Sequence, residues 1–361
     1  PFVNALVARV AEIDEPSARF VHWGATSQDI VDTAMVLLLG RAQGILARDH
    51  ARLEESLRAL SERHAGSVML GRTLLQPAPP ITFGLKVAGW YGAVHRSWRR
   101  LCGSFGEALR LQFGGAAGTL AAYGSDGMAL ASQLGKELHL PVSDAPWHAH
   151  RDRLAALAAD CGIYTGALGK IALDIALLMQ PEVAEAAEAG GGSSAMPNKR
   201  NPSGCVIALA ATNRTPGLVA AFLAGMVQEH ERAAGGWQAE WQTLAELIEA
   251  TGSALAAVAG VIDGLAVFPD RMLANLGATQ GVIFAEKARM SVGARMGRDT
   301  AQALLADATR EAIESGHPFR EILQRKSEIA SLLTAEQLEA MDRPEDYLGA
   351  AEQFRKQLLE D

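Results

Sequence analysis

Residues 190–202, read Gly-Gly-Gly-Ser-Ser-Ala-Met-Pro-Asn-Lys-Arg-Asn-Pro, put glycine, hydroxyl and cation within one short run. Three consecutive glycines suit neither helix nor strand; they give a loop the conformational freedom to fold over a ligand. Ser193 and Ser194 follow at once, and Lys199 comes six residues after Ser193. A serine hydroxyl moves a proton well only when its alkoxide is stabilised, and Lys199, Arg200 and the loop's N–H groups can supply that stabilisation. A plain linker would not combine S-S-x-M-P-x-K-x-N, so residues 190–202 are expected to do chemistry.

Other polar groups stand at helix-start and turn positions. Thr26-Ser27-Gln28-Asp29 precedes a long apolar-periodic stretch. It reads as a helix cap, with Asp29 a plausible capping residue, and equally as a carboxylate site, because free N–H groups point out of a helix start. Arg72, Thr73 and Gln76 lead into a proline-rich turn. Arg232 is either a salt-bridging helix residue or a carboxylate ligand. His148 and His150 form an HxH pair, but no further ligand motif accompanies them, so a polar role at a site is expected for one of them rather than a metal. The glycines of residues 114–118 follow no strand and lack the full dinucleotide spacing. Trp237 and Trp241 are expected to pack.

The signature run resembles that of the fumarase/aspartase superfamily, which makes or breaks C–N and C–O bonds beta to a carboxylate. The resemblance extends through V-H-W-G-A-T-S-Q-D (21–29), G-R-T-L-L-Q (71–76), Q-F-G-G-A-A-G (112–118) and E-R through W-Q-A-E-W (231–241), and covers most of residues 20–290. Within the superfamily the chain is most similar to the branch that lactonises carboxymuconates. The resemblance implies Ser193, Lys199 and Asn201 as catalytic residues. It implies Thr26, Ser27, Arg72, Thr73, Gln76, His148, Ser194, Met196, Arg200 and Arg232 as ligands of a small polycarboxylate. It also implies no metal or cofactor, a homotetramer with active sites shared between subunits, and a further helical segment upstream of Pro1.

One departure is informative. The superfamily commonly reads G-x-T-H-x-Q where this chain has Leu74 in place of the histidine. An amine or hydroxide leaving group needs a proton, whereas a carboxylate does not. Leu74 therefore favours lactonisation over an adenylosuccinate-type elimination. A catalytically silent oligomer is opposed by the intact Ser193, Lys199 and Asn201. An imidazole at position 74 is expected to suffer from burial without a partner.

Helical periodicity dominates the elements that must carry these groups. Residues 29–64 read as one helix with Ile30, Met35, Leu38, Ile45, Leu46, Leu53, Leu57 and Leu60 on its apolar stripe. Residues 82–112, 126–138, 151–187, 203–230 and 238–262 show similar stripes, rich in alanine that permits close helix approach. The expected fold is all-α: residues 1–28 end an N-terminal helical domain, 29–264 form a long-helix bundle, and 265–361 form a smaller helical domain. Five long apolar-faced helices are too many for one chain to cover, so several chains are expected to associate.

The 361 residues are 49% apolar and 20% charged, which fits a globular protein with a sizeable core. A net charge of −8 leaves no electrostatic footprint for nucleic acid, so an anionic substrate needs local cations. Cys102, Cys161 and Cys205 lack zinc or disulfide spacing and read as reduced thiols of a cytoplasmic protein. Apolar runs such as 171–179 are too short to span a bilayer, and no membrane partner is expected.

Overall fold

The computed structural model describes residues 2–360 except Ser193, Ser194, Ala195, Pro197, Asn198, Met341 and Asp342. It is helical almost throughout, as the periodicity predicts. The long helices are α3 (Ser27–Arg63), α4 (Phe83–Ala108), α6 (Asp152–Leu178), α7 (Ser203–Ala224) and α8 (Gly236–Asp263). Before them come α1 (Phe2–Ala11) and α2 (Glu15–Ala18), and between α4 and α6 lies α5 (Gly127–Leu138). Two short antiparallel pairs interrupt the helices: β1 (Val68–Thr73) with β2 (Gln76–Thr82), and β3 (Ala186–Ala187) with β4 (Ala266–Val267).

The chain divides into two compact units. The first comprises Pro1–Ala51, Arg96–Gly169 and Ile207–Ala256. Small residues bring its helices together. A β-carbon on Gly169 of α6 would lie 2.5 Å from the Thr212 side chain of α7, and one on Gly162 would lie 3.0 Å from Val219. At Gly169 the helices pass too close for a side chain, whereas at Gly162 Val219 would have to give by a few tenths of an ångström.

The second unit comprises Arg52–His95, Lys170–Val206 and Ala257–Asp361. After α9 (Pro269–Gly277) its C-terminal part continues with α10 (Ala285–Met296), α11 (Arg298–Ser315) and α12 (Phe319–Arg325). Shorter helices α13 (Ser327–Ala330), α14 (Ala335–Glu339) and α15 (Ala351–Glu360) follow. Phe284, Val292, Leu305, Phe319, Ile322 and Ile329 form its core, and Val68 and Leu70 of β1 pack into the same core. Each such side chain contributes about 1.5–3 kcal/mol when fully buried, which fixes the base of the β1–β2 hairpin.

The α3 stripe is buried only in part. Leu46, Leu53, Leu57 and Leu60 are buried, whereas Ile30, Leu38 and Ile45 are exposed. Four helices among the described residues, α3, α6, α7 and α8, are long and apolar enough to span a bilayer by length and composition. Only 22% of the α7 window and 28% of the α3 window is buried within the chain. These helices therefore carry bare apolar faces.

Candidate active site

Helix α3 begins at Ser27, two residues before the expected cap. Asp29 is instead the third residue of the helix, and its carboxylate accepts the Thr26 N–H at 3.0 Å, the returning half of a capping box. The same carboxylate accepts the N–H groups of Gly114 and Gly115, both at 2.9 Å, and bonds His148 Nε2 at 2.7 Å. Four donors thus converge on one buried carboxylate. A carboxylate can only accept, so Nε2 is the donor of that bond. Nδ1 makes no hydrogen bond among the described residues. The glycines of residues 114–118 have a physical reason: a β-carbon on Gly114 would stand 2.9 Å from His148 Cε1 and 2.6 Å from Pro146.

Thr26 Oγ1 accepts a hydrogen bond from Arg232 Nη1, so two residues 206 positions apart meet at the start of α3. Ser27 is exposed beside them. A helix start, a hydroxyl and a guanidinium are groups whose chemistry suits a carboxylate. His150 is exposed and stands apart from the Asp29 cluster.

One turn further along α3 lies a cluster that sequence reading missed. Arg151 donates to Asp32 at 2.8 Å and to Glu240 at 2.7 Å, and all three side chains are almost wholly buried. Trp237 Nε1 donates to Asp32 at 2.8 Å, and Gln28 and Gln112 each donate to Asp32 at 3.2 Å. Gln28 also donates to the His148 carbonyl at 2.8 Å, linking this cluster to the Asp29 layer. Burial pushes the Glu240 carboxyl up, and Arg151 only partly offsets it. Burial would pull Arg151 down, yet the charges of Asp32 and Glu240 carry it up. The two directions agree once one guanidinium is seen to serve two carboxylates. Trp237 packs as expected, edge-on to Trp241 at 4.9 Å. The signal available in the sequence was Asp32, a charge at a core position of an apolar helix.

In the second unit, Arg72, Thr73 and Gln76 lie on the β1–β2 hairpin, where the sequence suggested only a turn. Both ends of the Arg72 guanidinium are engaged by buried Glu185, at 2.8 and 2.7 Å. Asn275 donates to the same carboxylate at 2.8 Å. Thr73 pairs with Gln76 and closes a two-residue turn of Leu74 and Leu75, with φ of 50° and 64°. Such turns ordinarily carry Asn-Gly, because side chains cost energy in the left-handed region. Leu74 is 97% exposed and Leu75 77%. The desolvation penalty expected for an imidazole at position 74 therefore does not arise within the chain.

Ser193 and Ser194 lie outside the described residues. Lys199, Arg200 and Met196 are exposed, and Asn201 is half-buried. Asn201 N–H donates to the Gly191 carbonyl at 2.7 Å, and Gly192 bridges Arg200 in an antiparallel rung. Gly191, at φ 72°, has no room for a side chain: a β-carbon would lie 2.0 Å from the Asn201 carbonyl.

Comparison with known proteins agrees with this geometry. Residues 3–217 match a family model described as Lyase, and residues 281–358 match one described as Adenylosuccinate lyase C-terminus. A 3-carboxy-cis,cis-muconate cycloisomerase of Bradyrhizobium diazoefficiens is 44% identical, over 100% of this chain and 81% of the relative. One from Pseudomonas aeruginosa is 42% identical, over 99% of this chain and 79% of the relative. The crystal structure of 3-carboxy-cis,cis-muconate lactonizing enzyme from Pseudomonas putida superposes with a TM-score of 0.92 at 39% identity, covering 99% of this chain and 80% of that one. A chain with this helical frame, signature run and pair of family matches belongs to the fumarase/aspartase superfamily of lyases.

Proposed function

We propose that this chain closes a lactone: a carboxylate of 3-carboxy-cis,cis-muconate adds across a conjugated double bond of the same molecule, giving carboxymuconolactone in protocatechuate breakdown. The relatives at 42–44% identity carry that activity in their names. The observation that carries the choice within the superfamily is Leu74, a side chain unable to hold a proton at the fully exposed hairpin tip. A reaction whose attacking or departing group is a carboxylate needs no acid there.

The proton balance assigns the remaining roles. A C–O bond forms as the carboxylate attacks, the C=C bond breaks, and its electron pair moves into an aci-carboxylate. The Ser193 hydroxyl then gives its proton to the alpha carbon, and solvent restores it, so one proton is taken up per turnover. Lys199, Asn201 and the loop amides stabilise the alkoxide and the dianionic intermediate. Thr26, Ser27, Arg232 and His148 bind one carboxylate. Thr73, Gln76, Ser194, Met196 and Arg200 receive the rest of the substrate, and Arg72 holds the hairpin through Glu185. No metal or cofactor takes part.

The bare apolar faces support a homo-oligomer, a tetramer in our reading, working in the cytoplasm. In the first unit an open groove of about 560 Å³ is lined by Ile30, Met35, Leu38, Trp241, Leu244 and Ile248, an apolar seam of the kind a second copy of the same helices would cover. The domain boundaries at 28/29 and 264/265 belong to the same reading, supported by the separate family match of residues 281–358.

Loss of diene ultraviolet absorbance on adding 3-carboxy-cis,cis-muconate tests the reaction, with adenylosuccinate as control. Activity on adenylosuccinate alone would replace this reading with elimination, and activity on neither would leave a silent oligomer. Mixing an inactive Thr26 variant with an inactive Ser193 variant tests the shared sites. Partial activity is expected to return as hybrid oligomers form; an active monomer by light scattering would contradict it.

A further inference from the structure

The two strands of chain that enter and leave the signature run are joined at three levels within the second unit. Gly192 bridges Arg200, Asn201 N–H donates to Gly191, and beneath both stands Glu188, the residue after β3. Both Glu188 oxygens face the Gly204 N–H, at 3.0 and 3.1 Å, in the first turn of α7. Gly204 is fitted to this contact: a β-carbon there would stand 2.8 Å from Glu188 Oε2 and 2.4 Å from Val261. The thiol of Cys205, 4.0 Å from the same oxygen, is pushed up to about 12 by burial and by the Glu188 charge.

Glu188 is only 5% exposed, and no arginine or lysine among the described residues pairs with it. A buried carboxylate without a cation is costly, and is retained where its geometry is needed. The start of a helix offsets part of that cost, because unpaired N–H groups and the helix dipole favour an anion there. Glu185, on the opposite side of the same short strand, holds Arg72 and the hairpin. One four-residue segment thus ties down both elements that carry signature motifs in this unit.

We propose that Glu188 is a positioning residue for the lactonising reaction: by clamping the Gly204 amide it sets where Asn201, Arg200 and Lys199 leave the head of α7. Its kinetic arm rests on the function proposed above; its structural arm does not.

The test uses Glu188→Ala and the isosteric Glu188→Gln in the full chain. The alanine variant should lose turnover about 10–100-fold with KM changed less than about threefold, since a misplaced catalytic group lowers kcat rather than ground-state binding. Glutamine keeps an acceptor for Gly204 and should recover turnover to within about threefold. Hydrogen exchange at the Gly204 amide, read by mass spectrometry, should be fast in Glu188→Ala and protected in Glu188→Gln. Parental kcat in Glu188→Ala, or equal loss in both variants while Gly204 stays protected in the glutamine form, would overturn the assignment. Should Glu188→Ala fail to fold, Glu188→Asp, whose shorter arm lengthens the clamp, must show an intermediate kcat and intermediate exchange. If the parent itself lacks lactonising activity, the exchange pattern still decides whether the clamp exists.

Discussion

The polar cluster around Asp32 and the tip of the β1–β2 hairpin are opposites in construction. At Asp32 five side chains, Arg151, Trp237, Gln28, Gln112 and Asp32 itself, are buried and paired within one unit of one chain. At the tip, Leu74 and Leu75 stand in left-handed conformations with their side chains almost wholly in solvent. The first arrangement is complete in one chain and holds helices together. The second is strained and apolar, and the chain shields neither side chain. The signature run belongs with the tip: Lys199 and Arg200 are exposed, on a neck tied from below. Frame residues and chemistry residues should therefore fail in different ways when altered.

The largest effect is expected at Ser193. Positioned acid–base groups contribute about 10²–10⁴-fold to rate, so Ser193→Ala should lower kcat by that range while Tm stays within a few degrees of the parent. Near-parental turnover would remove Ser193 from the proton transfer and leave Ser194 or His148 to carry it.

The frame should give the reverse pattern. Arg151→Met leaves Asp32 and Glu240 buried without their cation, a change that costs about 3–5 kcal/mol in comparable sites. Tm should fall sharply, and turnover per folded molecule much less. Glu240→Gln separates burial from pairing. Burial raises the Glu240 carboxyl above its unfolded value, so the folded state binds that proton more tightly. Its contribution is full at low pH and is lost as pH rises through the folded value. The Tm of Glu240→Gln relative to the parent should thus climb as pH rises; a difference independent of pH would mean that Glu240 stays ionised throughout.

Sequence reading recovered the frame's helices but not its polar interior, and the reason is spacing. Apolar residues three and four apart reveal α3, α4, α6, α7 and α8 directly. Asp32 finds Arg151 and Glu240 across more than a hundred residues, and local pattern carries no trace of such a meeting. Asp29 was legible as a helix-start residue, yet three of its four donors, Gly114, Gly115 and His148, come from far along the chain. The hairpin was read as a turn because Pro77, Pro79 and Pro80 break helices and seldom sit in strands; as a two-stranded edge it tolerates them. Residues 190–202 needed no partner to be recognised, since glycine, hydroxyl and cation sit side by side.

Binding residues should fall between these extremes. Among the described residues Arg232 is held only by Thr26 and keeps capacity for a carboxylate, whereas Arg72 is fully occupied by Glu185. A charge-assisted hydrogen bond is worth about 1.5–3 kcal/mol, so Arg232→Met should raise KM by about tenfold or more. Arg72→Met should instead leave Glu185 unpaired and lower Tm. A KM effect confined to Arg72→Met would exchange the two roles.

The smallest effect is expected at Leu74, and it bears hardest on the choice of reaction. If a carboxylate is the group that joins carbon, no proton has to be delivered at the hairpin tip. Leu74→His should then give no gain in lactonising rate, and Leu74→Asn should keep measurable activity. Asparagine tolerates positive φ better than leucine, so Leu74→Asn should also relieve the turn and hold or slightly raise Tm. The pH–rate profile of the parent should contain no limb that vanishes on changing Leu74. A rate gain from Leu74→His at neutral pH would show that an acid at the tip is useful after all, because a proton is then limiting where the leaving-group argument requires none. Adenylosuccinate elimination would in that case have to be measured on the same variant before the lactone reading could stand.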